Sequence, residues 1–399
     1  MITIKTVKTD KELVKFVDFV YDLFEGNPCF VPPLFSDEYN CLNKKKNAAM
    51  EFCEADYFLA YNDEGKIVGR VAAIINHKAN KRWNQQRVRC GWFDFIDDRE
   101  VSTKLLQAVE EFGRARGMKE IIGPFGFTDL DKEGMLVDGF DQLGTMVTSF
   151  GAPYYKDHMH AMEGYHVEVR YNEHKLSVEG EIPEKYVKIS QLLENRYNIH
   201  TFKPTRWQLL FGGYGRKIFE LLNETYKDIY GYSELSKKQI DQYINQYIPF
   251  VNPKFITIIR DYNTPDNKMI GFGLSLPSLA RALQKTKRGR LLPFGWWHLA
   301  KTLYFSKKSP IIDLLLIGVL PEYRRKGVNA LLFTDLIPQY RSYGFEWAES
   351  SVQLEENSNA VSQFDALTKI VHKRRECFLK ELSLTPNPSP SGEGNDYPA

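Results

Sequence analysis

The amino-acid sequence predicts an α/β protein with two domains in tandem, each built on a mixed central sheet flanked by helices. The chain has 399 residues, a length that suits two domains of ordinary size. Strand-like runs alternate with helical patterns along almost all of it. The stretches VEEFGRARGMKEIIG and DLIPQYRSYGFEWAESS both give helix, basic residue, glycine and strand, with Gly117 and Gly344 separated by 227 positions. Such junctions are common in α/β proteins, but we interpret the two halves as diverged copies of one unit.

In the first half, ITIKTV predicts a strand, and TDKELVKFVDFVYDLF predicts a helix because its apolar residues recur at helical spacing behind Thr9 or Asp10 as a cap. The adjacent prolines of NPCFVPPLF exclude a helix there. DYFLAYNDEGKIVGRVAAIIN predicts a hairpin around Asp-Glu-Gly. The strand VRCGWFDFI, the helix VSTKLLQAVEEFGRARG and the strand KEIIGPFGF are predicted to follow.

In the second half, KYVKISQLLENRY and GRKIFELLNETYKDIY predict helices, and FITIIRD and MIGFGLSLPS predict strands joined by a polar turn. IIDLLLIGVL is almost unbroken in its apolar character, which predicts a central strand covered on both faces. VNALLFTDLIPQYRSYG predicts a helix that Pro338 should kink or shorten, FEWAESSVQL a strand, and NSNAVSQFDALTKI a helix. We expect an N-terminal domain at 1–184, a C-terminal domain at 185–382 and a disordered, Pro/Gly/Ser-rich tail at 383–399.

Composition excludes several classes of protein. The 53 Lys and Arg residues nearly balance the 51 Asp and Glu residues, so no strong field indicates a nucleic-acid partner. Five cysteines without CxxC spacing predict neither a zinc site nor a disulfide framework. No segment is typical of a signal peptide or long enough to span a bilayer, so we expect a cytoplasmic protein.

The stretch IIDLLLIGVLPEYRRKGVNALLF carries the clearest chemical signal. Pro321 ends the apolar strand, and the cations of Arg324, Arg325 and Lys326 precede Gly327 at the start of a helix. The free N–H groups of a helix start and the positive end of its dipole favour an anion. Because glycine also allows close approach of the backbone, the loop predicts a pyrophosphate site.

This loop and its context resemble the GNAT acyltransferase superfamily, whose coenzyme A loop follows the central strand and reads Gln/Arg-x-x-Gly-x-Gly/Ala. Arg324 and Gly327 match, whereas Asn329 replaces the usual Gly or Ala. The family often continues with Asn-x-x-Ala-x-x-x-Tyr; Asn357 and Ala360 match, but Phe364 replaces the tyrosine that often protonates the leaving thiolate. The resemblance implies acyl-CoA as a co-substrate, with no permanently bound cofactor. The implied contacts are Val319, Arg324, Arg325, Lys326, Gly327, Val328, Asn329, Ala330 and Asn357.

The first half has Asp97-Asp98-Arg99-Glu100 at the equivalent place. Three carboxylates without a glycine should repel a pyrophosphate, so we expect acyl-CoA to bind only in the second domain.

The wider chain is similar to one branch of the superfamily, the bacterial ceramide synthase-like proteins. The similarity lies in NPCFVPPL, VGRVAAIIN and IGPFGFTDLDKEGMLVDGFD, and it covers most of residues 1–382. It implies transfer of an acyl group from a thioester to the nitrogen of a long-chain amine, such as a sphingoid base.

Two sets of acidic residues are candidates for this chemistry. Asp129, Asp131 and Glu133 either steer an amine-bearing acceptor or form a solvated loop; the loop lacks the last ligand of a calcium site, and no metal site is expected. Asp313 on the central strand and Glu349 on the next are candidates for the general base, because an acid on a covered sheet should have a raised pKa. Each of these two is equally compatible with a structural role.

The adjacent Trp296 and Trp297 lie in an apolar run between basic residues, a pattern typical of a membrane interface. The basic residues are Arg281, Lys285, Lys287, Arg288, Arg290, Lys301, Lys307 and Lys308. The alternative is a helix packed on the second domain. Two functions other than acyl-CoA-dependent N-acylation also stay open: a non-catalytic acyl-CoA-binding or scaffold protein, and an aminoacyl transferase that uses charged tRNA.

Overall fold

The computed structural model of the protein describes residues 1–304, 309–356 and 367–383. Most of the predicted tail and of the predicted helix NSNAVSQFDALTKI therefore lies outside the described residues. The first part of the chain contains β1 (Thr3–Thr6), α1 (Asp10–Leu23), α2 (Phe35–Leu42), β2 (Cys53–Tyr61), β3 (Ile67–Asn76), α3 (His77–Arg82), β4 (Arg87–Phe95), α4 (Arg99–Arg114), β5 (Glu120–Gly123), β6 (Met135–Asp138), α5 (Tyr154–His160) and β7 (His166–Ser177).

The second part repeats the alternation of helices and strands. It contains α6 (Glu184–Tyr197), β8 (Ile199–Phe202), α7 (Arg206–Leu210), α8 (Tyr214–Tyr226), α9 (Lys237–Tyr247), β9 (Ile256–Asp261), β10 (Lys268–Pro277), α10 (Ala280–Leu283), α11 (Gly295–Tyr304), β11 (Ile311–Val319), α12 (Pro321–Arg324), α13 (Asn329–Ser342), β12 (Trp347–Ser350), β13 (Gln353–Leu354) and β14 (Lys369–Glu381). Short 3₁₀ turns lie at Ala48–Glu51, Ile248–Phe250 and Pro253–Phe255.

Local signals in the sequence place several of these elements. Thr9 caps α1 in a capping box with Glu12, which satisfies two N–H groups that the helix leaves free. α13 continues through Pro338 as far as Ser342. The expectation that the proline shortens this helix is therefore wrong. Gly117 and Gly344 follow α4 and α13 with φ angles of +73° and +80°, a conformation that glycine adopts without a steric cost.

The strands form one continuous sheet in the order β1-β2-β3-β4-β5-β14-β7-β12-β11-β10-β9-β8. From either edge inward, the first four pairings follow the same pattern: three antiparallel pairs and then a parallel pair, β4 with β5 and β11 with β12. The two halves of the sheet are thus built alike. The predicted fold class, two tandem α/β units with mixed sheets flanked by helices, is confirmed.

The centre of the sheet contains an exchange of strands between the halves. β7, which ends the first part of the chain, pairs with β12, whereas β14 from the C-terminal end pairs with β5. The two exchanged strands also pair with each other over ten residues. Each of the predicted ranges 1–184 and 185–382 therefore contributes one strand to the sheet of the other, and a cut at residue 184 leaves neither sheet complete.

Buried charges join the exchanged strands. The Lys373 Nζ lies 3.0 Å from Glu173 Oε2 and 2.7 Å from Glu349 Oε1, and the Arg375 Nε lies 2.5 Å from Glu173 Oε1. Burial opposes ionisation of Glu173, but Arg375 and Lys373 lower its pKa to about 2. The charges therefore compensate one another where β7, β14 and β12 meet, as buried ions require.

Candidate functional site

A cavity of about 1550 Å³ is lined by residues from both halves of the chain. It is larger than the usual range of ligand pockets. Much of its lining is aliphatic or aromatic, including Leu274, Leu276, Leu279, Leu299, Leu303, Leu314, Leu332, Phe333, Leu336 and Ile337. A cavity of this size and lining suits a large ligand with long apolar parts.

One wall of the cavity is the open edge of β11. Pairing of β11 with β12 ends at Leu314 and Ser350. Beyond this point all five residues from Leu315 to Val319 line the cavity, while the opposite edge of β11 stays paired with β10 as far as Val319. The divergence of two parallel strands therefore gives a ligand access to the backbone of the central strand.

The predicted coenzyme loop lies at the end of this open edge. Val319, Arg324, Arg325, Gly327, Asn329 and Ala330 all line the cavity. Gly327 has φ +74°, and a Cβ atom there would lie 3.1 Å from the Ile189 side chain. Among the described residues, no side chain caps the start of α13. The loop thus leaves this helix start available to an anion, as its sequence predicts.

The loop residues differ in what their side chains do. Arg324 donates to the carbonyl oxygens of Val319 and Thr225, at 3.1 and 2.6 Å, so its guanidinium also holds the loop in place. Lys326 does not line the cavity, and its Nζ lies 4.4 Å from the centre of the Tyr323 ring. Val328 is fully buried in the core. Asn357, with Ala360 and Phe364, lies outside the described residues.

Asp129, Asp131 and Glu133 also line the cavity, although they come from the first half of the chain. Burial raises the pKa of all three carboxyl groups, that of Asp129 to about 6 and that of Glu133 well above its ordinary value. The structure thus places these three residues at the cavity, where Glu133 is buried and Asp129 and Asp131 are half-buried.

One short segment connects the coenzyme loop with these carboxyls. At its start, the Thr225 carbonyl accepts from Arg324, and the Tyr226 hydroxyl donates to the Ile317 carbonyl of β11 at 3.0 Å. Near its end, the Ser233 N–H donates to Asp129 Oδ2 at 2.8 Å. The segment 225–233 therefore ties the loop, the open edge of β11 and the acidic residues together.

Asp313 and Glu349 do not belong to this group. They are register partners on β11 and β12, each only 4% exposed, and neither lines the cavity. Glu349 is bound to Lys373 in the ionic cluster between the exchanged strands. Their role as the general base stays a prediction, with no contact between either carboxyl and the cavity.

In the described part of the chain, one set of three side chains could hold a metal ion: Glu173, Glu349 and His372. This set belongs to the ionic cluster between the exchanged strands. Its ligand atoms lie within 4.8 Å of one another. The ammonium of Lys373 already contacts both carboxylates, so a cation is present between them without a metal.

Some cavity residues were not predicted from the sequence. Glu38 and Trp92 line the cavity; Glu38 accepts from the Trp92 Nε1 at 2.6 Å and pairs with Lys132 at 2.8 Å. Tyr171, on the exchanged strand β7, also lines it. The segment NPCFVPPL gave an indirect signal, since it leads into α2 and its Pro33 and Leu34 belong to the lining.

Several residues line the cavity and are also exposed to solvent, so they mark its opening. They are Tyr247, Phe250, Trp296 and Tyr304, with exposures between 39% and 64%. Trp297 is 51% exposed beside Trp296 on α11. Of the predicted basic flanks, Arg288 and Arg290 pair with Asp22 and Asp18, whereas the other described ones, Arg281, Lys285, Lys287 and Lys301, are exposed. No helix among the described residues has both the length and the apolar character to cross a membrane.

The equivalent place in the first half is occupied by the chain's own carboxylates. Asp98 caps α4 by accepting from the Glu100 N–H at 2.8 Å. Asp97 pairs with His158 at 3.0 Å, and Glu100 with Lys104 at 2.9 Å. The helix start of α4 is thus occupied by the chain's own groups, and the absence of coenzyme binding in the first copy stays a prediction.

Comparison with known proteins agrees with the geometry, although no family model matches the chain. The chain is 23% identical over 386 residues to Protein YghO of Escherichia coli strain K12, covering 95% of each chain. It is 26% identical over 316 residues to the bacterial ceramide synthase of Caulobacter vibrioides, covering 77% of this chain and 79% of that one.

Solved structures resemble this one over nearly its whole length. A tandem GNAT protein from the clavulanic acid biosynthesis pathway matches with a TM-score of 0.54 at 14% identity, covering 97% of this chain and all of its own. A GCN5-related N-acetyltransferase from Sphaerobacter thermophilus matches with a TM-score of 0.50 at 11% identity, covering 96% of both chains. The chain therefore has the tandem GNAT fold and is similar in sequence to a bacterial ceramide synthase, as its motifs predicted.

Proposed function

We propose that the protein is an N-acyltransferase that moves an acyl group from acyl-CoA to the nitrogen of a long-chain amine. One observation carries the proposal: a single apolar cavity connects the coenzyme loop at Gly327 with the carboxyls at 129–133. The loop would hold the pyrophosphate, and the apolar lining would hold the hydrocarbon chains of the acyl donor and of the acceptor. The sequence similarity to a bacterial ceramide synthase supports an acyltransferase with such an acceptor.

The open edge of β11 would position the thioester. A backbone N–H near Val319 would stabilise the oxyanion as the amine attacks the thioester carbonyl. The new C–N bond forms, the C–S bond breaks, and the coenzyme leaves as the thiolate, which takes up a proton. The Tyr226 hydroxyl also lies at this edge, because it donates a hydrogen bond to the Ile317 carbonyl of β11.

A lipid-like acceptor has a very low concentration in water, so we also propose that the opening of the cavity contacts an anionic membrane surface. The exposed rings of Trp296, Trp297 and Phe250 would enter the interface, and the exposed lysines and Arg281 would face anionic headgroups. The contact would be peripheral and sensitive to salt.

A thiol-release assay tests the proposed reaction. Palmitoyl-CoA and sphinganine are incubated with the protein, free thiol is measured, and the amide product is identified by mass spectrometry. Thiol release that requires the amine supports the proposal. Binding of palmitoyl-CoA without thiol release for any amine would instead indicate a non-catalytic acyl-CoA-binding protein. Activity that is lost on treatment with ribonuclease would indicate the use of charged tRNA.

A further inference from the structure

Asp129, which is half-buried, and Glu133, which is buried, line the cavity and, among the described residues, have no cation of their own. Glu38 pairs with Lys132, and Glu173 and Glu349 pair with Lys373. No salt bridge to Asp129 or Glu133 is formed within the described ranges.

The positive charge of Arg89 opposes the rise in the pKa of both carboxyls. Arg89 is 4% exposed, and its described hydrogen bonds go to the carbonyl oxygens of Gly126, Phe127 and Gly231. Its guanidinium therefore holds the surrounding backbone in place and leaves the two carboxyls without an ion pair.

Burying carboxyls without a partner is costly, because burial opposes their ionisation. Burial raises the pKa of Asp129 to about 6 and that of Glu133 further. The charged form of such a group becomes favourable again when a cation enters the site. Two carboxyls without an ion pair in the lining of an apolar cavity thus favour a ligand that brings a positive charge on an apolar chain.

Buried polar atoms without partners point to the same place independently. Tyr171 is 3% exposed and lines the cavity. Its hydroxyl lies close enough to Glu133 to oppose the rise in the pKa of that carboxyl, yet it forms no hydrogen bond of good geometry within the described structure. Asp129 Oδ1 is also buried and makes none. The negative charges of Glu133 and Asp129 both act on Tyr171, so the hydroxyl and the carboxyls lie in one group. Buried polar atoms normally have a partner, and a ligand can supply the missing one.

We propose that Asp129 and Glu133, together with the Tyr171 hydroxyl, bind the protonated nitrogen of an amphiphilic primary amine and take up its proton before it attacks the thioester. The proposal rests on the proposed function, and it specifies the class of acceptor and the group that acts as base.

The proposed step is balanced in charge and atoms. The ammonium transfers one proton to a carboxylate of the pair and becomes a neutral amine. Its lone pair then forms the C–N bond as the C–S bond breaks. The amide nitrogen loses its second proton, the thiolate gains one, and one proton is released overall. Asp313 and Glu349, which have no contact with the cavity, are not needed in this scheme.

Binding of decylamine and of decanol to the full chain tests the site without acyl-CoA. The two probes share an apolar chain and differ in charge. We expect calorimetry to show that Asp129→Asn and Glu133→Gln each weaken decylamine binding by about tenfold. Binding of decanol should not change. Asp141→Asn is the matched control, because this carboxyl lies beyond β6, does not line the cavity and is exposed.

Melting curves separate this role from a structural one. Each amide variant without ligand should melt at the wild-type temperature or above it, since the substitution removes an unpaired buried acid. Loss of stability in both variants, or unchanged decylamine affinity in the folded variants, would overturn the proposal. If the double variant Asp129→Asn with Glu133→Gln keeps wild-type turnover with sphinganine, the base assignment fails while the proposed N-acyl transfer stands. Decylamine binding through the two carboxyls without any thiol release would overturn the transfer reaction alone.

Discussion

Asp313 and Glu349 lie side by side on the parallel strands β11 and β12, yet the pKa values of their carboxyl groups shift in opposite directions. Burial, and then the charge of Glu349, raise the pKa of Asp313 to about 8. Burial opposes ionisation of Glu349 as well, but its contacts with His372 and Lys373 lower its pKa. At neutral pH a neutral Asp313 therefore lies beside an ionised Glu349.

This difference predicts a pH-dependent stability. The pKa of Asp313 is above its ordinary value of 3.8, so raising the pH between 3.8 and about 8 ionises the unfolded chain first and lowers the free energy of unfolding. We expect Asp313→Asn to melt at a higher temperature than the wild type at about pH 8, and at the same temperature at about pH 4. Circular dichroism checks both. A variant that is less stable at the higher pH would contradict the assignment.

The buried ion cluster between the exchanged strands should be essential for stability. Glu173→Gln leaves Lys373 and Arg375 with less compensating charge in the interior. We expect a loss of about 3 kcal/mol in the free energy of unfolding, measured by urea denaturation. Glu184→Gln is the control, since Glu184 forms an exposed pair with Lys188 and its loss should have no measurable effect. Equal stability of the two variants would show that the cluster contributes little.

The coenzyme loop can be tested at its glycine. Gly327→Glu places a carboxylate where the pyrophosphate should bind and a Cβ atom 3.1 Å from Ile189, and calorimetry should show no coenzyme A binding. Gly344→Glu is the matched control: φ is +80° there, and no atom lies within 4 Å of its Cβ position. Both variants place a glutamate in a left-handed backbone conformation, which is strained. Only Gly327→Glu should abolish coenzyme A binding. Unchanged affinity in folded Gly327→Glu would mean that the loop is assigned wrongly.

The asymmetry between the halves predicts one coenzyme per chain. Asp98 caps α4 itself, and Asp97 and Glu100 add negative charge at that helix start. These groups should repel a pyrophosphate. Titration calorimetry with coenzyme A should give a stoichiometry near one. A value near two would show that the first copy also binds.

The proposed membrane contact predicts a specific effect of Trp296→Ser combined with Trp297→Ser. Both rings are about half exposed, at 49% and 51%, so the double variant should melt close to the wild-type temperature. It should no longer sediment with anionic vesicles, whereas the wild type should sediment at low salt and dissociate at high salt. Vesicles of neutral lipid serve as the control. A wild type that stays in the supernatant at low salt, or a large loss of thermal stability in the variant, would contradict the membrane contact.

The sequence by itself determined the elements whose burial follows a local pattern. The apolar run of β11, the hairpin of β2 and β3, and the loop from Arg324 to Gly327 could all be identified before the structure. In these segments the chemical signal and the residues that use it are close together in the chain. The same holds for the predicted fold class, because the repeated order of strands and helices is visible along the sequence.

Only the tertiary structure decided the exchange of β7 and β14 and the composition of the cavity. These two strands are rich in charge, HVEVRYNEHKLS and KIVHKRRECFLKE, so their hydropathy does not indicate burial. Glu173 on β7 can be buried because it finds the cations of Lys373 and Arg375 on β14, about 200 residues away in the sequence. The carboxyls at 129–133 reach the cavity for the same reason: Ser233 holds Asp129 across more than 100 residues of sequence. A local hydropathy pattern predicts which residues of one helix or strand are buried, whereas pairing between distant elements depends on how the whole chain folds.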